Sequence, residues 1–238
     1  MDLTDLTVLP IRGLLFDKDG TLFDFRRTWA AWAAQLLEHL APGDTPRQQA
    51  MAGAIGFCLQ ELDFRPLSPV IAGTPAEVAA LLLPFLPGQD LAPLVDLMNR
   101  LAEDVPLSEV VPLKPLLEGL IAKGYVLGLA TNDAEAPARA HLSRSGIAEY
   151  FDFVAGCDSG FGAKPAAGQL KAFCRVTGLV PEEVAMIGDS THDLHAAEAA
   201  GMTAVAVLTG IATERDLAPV ADVVLRDIGG LTEWLPLR

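Results

Sequence analysis

From about residue 106 to its end the chain alternates short β-type apolar runs with helical stretches, the pattern of βαβ units and a parallel sheet. The runs are "YVLGLA" (125–130), "FDFVAG" (151–156), "VAMIG" (184–188), "TAVAVL" (203–208) and "ADVVL" (221–225), and helices are expected over 134–145, 165–177, 193–200 and 228–235. Pro165 and Pro181 stand where first-turn prolines belong. A sixth run, "IRGLLF" (11–16), lies far upstream. Between it and the next strand, residues 23–105 differ in character. "TWAAWAAQLLEHL" (28–40) sets Trp29, Trp32, Leu36, Leu37 and Leu40 at helical spacing, and further helices are expected over 45–60, 75–86 and 90–104. No strand is expected in this block, and 63–75 reads as its one long loop. The fold class is therefore α/β. A Rossmann-like parallel sheet is assembled from 1–22 and 106–238, and an all-helical domain, 23–105, is inserted after the first strand.

Composition narrows the function. With 51% hydrophobic residues among 238, the chain can bury a sizeable core as one large domain or one domain plus an insertion. No apolar stretch approaches the roughly 20 residues needed to cross a bilayer, so no membrane partner is expected. The start, "MDLTDLTVLP", lacks the basic-then-apolar order of a signal peptide. Cys58, Cys157 and Cys174 are odd in number and widely spaced. They fit neither a disulfide framework nor a zinc site, and imply reduced thiols in the cytoplasm. The net charge of −14 argues against a general nucleic-acid binder. Any anionic substrate must be attracted locally, against the overall field.

Asp17 and Asp19 stand two residues apart at the end of "GLLF". Like charges so close destabilise one another unless a cation or a reaction uses them. Thr131 and Asn132 follow "LGLA", while Gly188 and Asp189 follow "VAMI", with Asp193 four residues on. In an open parallel sheet the carboxyl ends of the strands gather on one edge, where ligands bind. Four carboxylates and two small polar groups are therefore expected to converge as a hard-cation site of the kind Mg²⁺ prefers. Lys164, in "FGAKPAAGQL" (161–170), follows a glycine-bearing loop. Beside an anionic pocket, such an ammonium would hold both a phosphate and a carboxylate. His192 and His195 are three apart, with no third imidazole or thiolate to join them, and read as exposed or helix-capping. The Trp29–Trp32 stripe reads as packing, with a substrate-facing role as the alternative.

Four segments, "FDKDGTL" (16–22), "ATND" (130–133), "AKP" (163–165) and "GDSTHDL" (188–194), resemble in order and spacing the four motifs of the haloacid dehalogenase superfamily. The helical insert looks like the C1-type cap of that superfamily. The resemblance implies that Asp17 is the nucleophile, forming an aspartyl-phosphate, and that Asp19 is the general acid and then the base. It implies that Asp17, the main-chain carbonyl of Asp19 and Asp189 ligate Mg²⁺, with Asp193 supporting the metal from outside its ligand set or binding Lys164. Thr131, Asn132 and Lys164 would bind phosphate oxygens, together with backbone N–H groups near Lys18 and Gly20. Dehalogenases carry a non-acidic residue in place of Asp19, and P-type ATPases read "DKTGT"; "DKDGT" looks like a phosphatase or a phosphomutase.

The insert, and the stretch from "GIAEYFD" to "AKP", look most like phosphoglycolate phosphatase-type members. The expected activity is Mg²⁺-dependent hydrolysis of a small phosphorylated metabolite, with 2-phosphoglycolate as the named candidate, by a monomer or a homodimer. A phosphomutase of the β-phosphoglucomutase type and a non-catalytic regulator on the same fold are the alternatives. Among the few cations, Arg26, Arg27 and Arg65 are candidates to contact the non-phosphate end of the substrate, a surface role being the alternative for each, and Arg65 is assigned to it.

Overall fold

Four residues without a polar side chain, Gly13–Phe16, form β1, and all four are buried. The computed structural model describes residues 10–235. The reading of the amino-terminal segment, and the outer ends of the pieces 1–22 and 106–238, lie outside the described residues.

After β1 the chain enters the helical block. Helix α1 (Phe25–Leu40) starts ahead of the expected 28–40 because Asp24 caps it, accepting the Arg27 N–H at 2.9 Å. Helix α2 (Thr45–Ala54) stops short of the expected 45–60. Gly56, at φ +67°, breaks the helical path. The chain then pairs β2 (Phe57–Cys58) antiparallel with β3 (Asp63–Phe64). This hairpin corrects the expectation of a strand-free block; its apolar contact is the Phe57–Phe64 ring pair, 4.8 Å between centroids. Helix α3 (Pro75–Leu82), held by a Thr74–Glu77 capping box, and α4 (Leu91–Glu103) complete the block. It closes on its own apolar cluster, including Trp32, Leu36, Leu37, Met51, Leu82 and Met98.

Helix α5 (Leu113–Ala122), which the sequence reading did not anticipate, leads back to the sheet. There follow β4 (Val126–Ala130), α6 (Glu135–Arg144), β5 (Phe153–Ala155), α7 (Gly168–Thr177), β6 (Val184–Gly188) and α8 (Thr191–Ala200). The chain ends with β7 (Thr203–Val207), α9 (Glu214–Leu217), β8 (Val223–Leu225) and α10 (Leu231–Trp234). Pro165 is not the first-turn proline of α7: it follows a cis peptide bond in the loop before the helix. Pro181 does open a single 3₁₀ turn, Pro181–Glu183.

The six long-range strands form one parallel sheet in the order β5-β4-β1-β6-β7-β8. Alternation along β1 serves both faces. Leu14 and Phe16 join Leu117 and Leu120 of α5, whereas Leu15 joins Phe173 of α7 and Leu194 of α8. Register then decides where the chemistry lies. Phe16 is level with Leu129 of β4 and Ile187 of β6, so Asp17, Thr131 and Asp189 leave the sheet on the same edge. Among the described residues no helix is long and apolar enough to cross a membrane.

Candidate active site

Asp17, the first residue beyond β1, is fixed by its N–H to the Ile187 carbonyl at 2.8 Å. Lys164 meets it from the loop before α7. The Lys164 ammonium donates to Asp17 Oδ1 and Asp193 Oδ1, both at 2.6 Å, and to the Ala130 carbonyl at 2.8 Å. Burial alone would lower its pKa, yet Asp17 and Asp193 outweigh that and raise it. Burial pushes the Asp17 carboxyl up to about 7 even though Lys164 pulls the other way. Asp193 is fully engaged, because its Oδ2 accepts from the Ser190 hydroxyl at 2.7 Å and N–H at 3.1 Å.

Asp189 differs. It is buried and no cationic side chain pairs with it among the described residues. Burial, followed by the charges of Asp17 and Asp193, raises its pKa well above the ordinary carboxylate range. Carboxylate oxygens of Asp17, Asp189 and Asp193 lie within 4.8 Å of one another. A buried carboxylate lacking a counter-ion, beside others in an all-oxygen donor set, fits a hard divalent cation such as Mg²⁺. The surroundings of Asp189 are built for close approach: a Cβ on Gly20, which has φ +80°, would lie 2.3 Å from Asp189 Oδ2, and one on Gly210 at 1.6 Å. Only glycine fits at either place.

Asp17, Asp19, Thr131, Asn132, Lys164, Asp189 and Asp193 all line one cavity, open to solvent, between the strand ends and the helical block. Within it, Asp19 Oδ1 is buried without a hydrogen-bond partner among the described residues. Thr131 Oγ1 accepts the Asp133 N–H at 3.1 Å, which leaves its hydroxyl proton free to donate.

The structure bears on four more of the expected groups. The Asn132 amide was expected to face phosphate. It instead donates to the carbonyls of Ala72 at 2.8 Å and Lys164 at 2.9 Å, while its oxygen accepts the Lys164 N–H at 2.8 Å. Asn132 therefore ties the helical block's loop to the lysine loop. Gly20 directs its N–H to the Phe23 carbonyl at 2.7 Å, so its contribution is steric. Arg65 is exposed and does not line the cavity, and Arg26 is paired with Asp63. For Lys18 the expectation concerned its backbone N–H; its side chain is wholly buried and does not line the cavity.

That ammonium meets Asp19 Oδ2 at 2.7 Å, Asp133 Oδ2 at 2.9 Å and His141 Nδ1 at 3.0 Å, 5.2 Å from the centre of the Trp29 ring. Burial would lower the Lys18 pKa, but Asp133 and Asp19 bring it up to about 12. Burial, then Lys18, lowers His141 to about 4, so its ring is neutral at pH 7. Since Nδ1 must accept from the ammonium, Nε2 carries the proton and donates to the Ala102 carbonyl on α4 at 2.7 Å. Sequence reasoning missed His141 and gave Asp133 no role. The available signal was Lys18 itself, a cation beside a buried strand that had to find acceptors. His192 lines the cavity and His195 is exposed, so the two do not share a site.

The profile of the haloacid dehalogenase-like hydrolases matches residues 14–207, most of the chain and the strand ends that carry Asp17, Thr131 and Asp189. The chain belongs to that family. This hydrolase is similar to the phosphoglycolate phosphatase of Rhodospirillum rubrum, 36% identical over 120 residues that span half of each chain. It is similar to that of Nitrosospira multiformis, 29% identical over 209 residues, 88% of each chain. The solved structure of a "predicted phosphoglycolate phosphatase" from Haemophilus somnus 129PT superposes with TM-score 0.73 at 19% identity, covering 95% of the hydrolase and 98% of that chain. At that identity the superposition speaks for the fold.

Proposed function

We propose that the hydrolase is a Mg²⁺-dependent phosphatase that cleaves a small phosphomonoester through an aspartyl-phosphate on Asp17. The observation that carries this reading is the convergence on Lys164: one ammonium holds the carboxylates that follow β1 and open α8, beside Asp189, which has no cationic partner among the described residues. An Asp17 oxygen attacks phosphorus, and the bond to the alcohol oxygen breaks as Asp19 gives that oxygen a proton. Asp19 then takes a proton from water, whose oxygen attacks the phosphoryl group. Inorganic phosphate leaves and Asp17 is restored. The Thr131 hydroxyl and Lys164 neutralise and orient the phosphoryl oxygens. Asp17, the Asp19 carbonyl and Asp189 would hold Mg²⁺, which supplies positive charge against the phosphate and the crowded carboxylates.

In this reading 23–105 is a cap that excludes water during transfer. Three free cysteines accord with a reducing compartment such as the cytoplasm. The names of the relatives make 2-phosphoglycolate the first compound to try. The test is phosphate release with Mg²⁺, which a chelator should abolish. Asp17→Asn is expected to lose at least about a thousandfold in kcat while its circular dichroism and melting temperature stay close to those of the parent. Substantial turnover by the folded variant refutes the nucleophile. Release of phosphate without a bisphosphate cofactor separates hydrolysis from the mutase alternative.

A further inference from the structure

The cavity that holds Asp17 and Lys164 continues into the helical block, and its wall there is apolar. Phe25, Trp29 and Trp32 of α1 and Met98 of α4 face it, with Ile71 and Val78 alongside. The two tryptophans stand edge to face, 5.2 Å between centroids at 85°. The Trp32 ring N–H is already engaged by the Met98 carbonyl at 3.2 Å, so that ring brings no free donor. Among the block's side chains that line the cavity, Asn99 alone is polar and none is cationic. The block holds five arginines and no lysine. Arg26 is paired with Asp63, Arg47 donates to the Phe85 carbonyl, Arg27 reaches Ser108, and Arg65 and Arg100 are exposed. The opposite wall adds Lys164 and His192, but also the carboxylates of Asp19 and Asp133.

Resting on the phosphatase reading, we infer that the phosphate ester this cavity selects carries a neutral, apolar organic group, aryl or branched alkyl, and that a second anionic group is rejected. A carboxylate two atoms from the phosphorus oxygen would lie against aromatic rings, near like charges, without a cation to replace its water. Unpaired charge in apolar surroundings is strongly disfavoured, while an apolar group gains by leaving water and by ring-to-ring contact. The preference arises from the wall that holds the leaving group, so it is separate from the chemistry at Asp17.

The test compares 2-phenylethyl phosphate with 2-phosphoglycolate on the full chain with Mg²⁺. Both release primary-alcohol leaving groups, which keeps intrinsic reactivity close. The expected kcat/KM ratio is about a hundredfold or more in favour of the phenylethyl ester. Ile71→Arg, in a half-buried loop position, should narrow that ratio at least about tenfold by supplying the missing cation. Equal or better turnover of 2-phosphoglycolate by the parent overturns the inference and leaves the phosphatase reading standing. Binding of both esters to Asp17→Asn, followed by tryptophan fluorescence, keeps the two failures apart. Tighter phenylethyl binding without parental turnover upholds the selectivity and sinks hydrolysis, whereas equal or weaker binding overturns the selectivity.

Discussion

Replacing Lys18 with methionine tests the buried network that joins the strand end to the helical block. The ammonium has three acceptors, Asp19, Asp133 and His141, and lies over the Trp29 ring with no exposure to solvent. Methionine keeps most of the apolar stem and removes the charge. Two carboxylates then face a vacated centre, and the His141 Nδ1 loses its donor. Breaking a buried ion pair by deleting one partner costs about 3–5 kcal/mol, because the remaining charge stays buried. For a chain of this size that corresponds to a fall in melting temperature of about 6–20 °C, at about 2–4 °C per kcal/mol. The assay is thermal unfolding at pH 7.5, read by circular dichroism. Adding Asp133→Asn to Lys18→Met removes one of the two stranded carboxylates and should recover at least about half of the loss. A single variant melting within about 2 °C of the parent, or a double variant no better than the single, would falsify the view that this charge organises the network.

Two further outcomes are expected. Asp19→Asn should slow hydrolysis of 2-phenylethyl phosphate by about 10²–10⁴, but 4-nitrophenyl phosphate much less, since its phenolate departs without a proton; equal losses would count against Asp19 as the acid. The stability of chelator-treated protein should fall as pH rises from 6.5 to 7.5. Asp17, held near 7, and Asp189 bind protons more readily folded than unfolded, so their contribution is fully present at low pH and lost as pH rises through the folded values. Asp133, near 6, acts in the same direction at lower pH. His141, held near 4, acts oppositely, with stability rising between about 4 and 6.5, and so leaves the upper window to the carboxylates. Millimolar Mg²⁺ should raise the melting temperature and flatten the dependence. Metal-free protein that melts higher at pH 7.5 than at 6.5 contradicts the assignment.

The sheet was legible because buried parallel strands are continuous apolar runs, and the polar residues that end them mark the ligand-binding edge. The placing of Asp17, Thr131 and Asp189 on one cavity follows from that rule, whereas Lys164, in the loop before α7, was assigned through its place beside an anionic pocket and the resemblance of its motif. The hairpin at Phe57 and Phe64 was not legible, since two-residue strands have no periodicity to read. Side-chain direction was hidden as well. Nothing local says that the Lys18 ammonium turns toward Asp133 and His141, or that the Asn132 amide takes the Ala72 and Lys164 carbonyls. Trp29 and Trp32 were read as packing, with a substrate-facing role as the alternative; they belong to the block's apolar cluster and also line the cavity. Arg65 drew notice because cations are scarce, yet scarcity carries no information about where a side chain lies.

The position of β1 also bears on the order in which the protein can assemble. Its hydrogen-bonding partners begin at Val126 on one side and Val184 on the other, about 110 and 170 residues downstream. As the chain leaves the ribosome, the strand bearing Asp17 has no neighbour to pair with, whereas the helices from Phe25 to Glu103 already have one another. The helical block is complete before the sheet, and the first strand made is among the last to be enclosed.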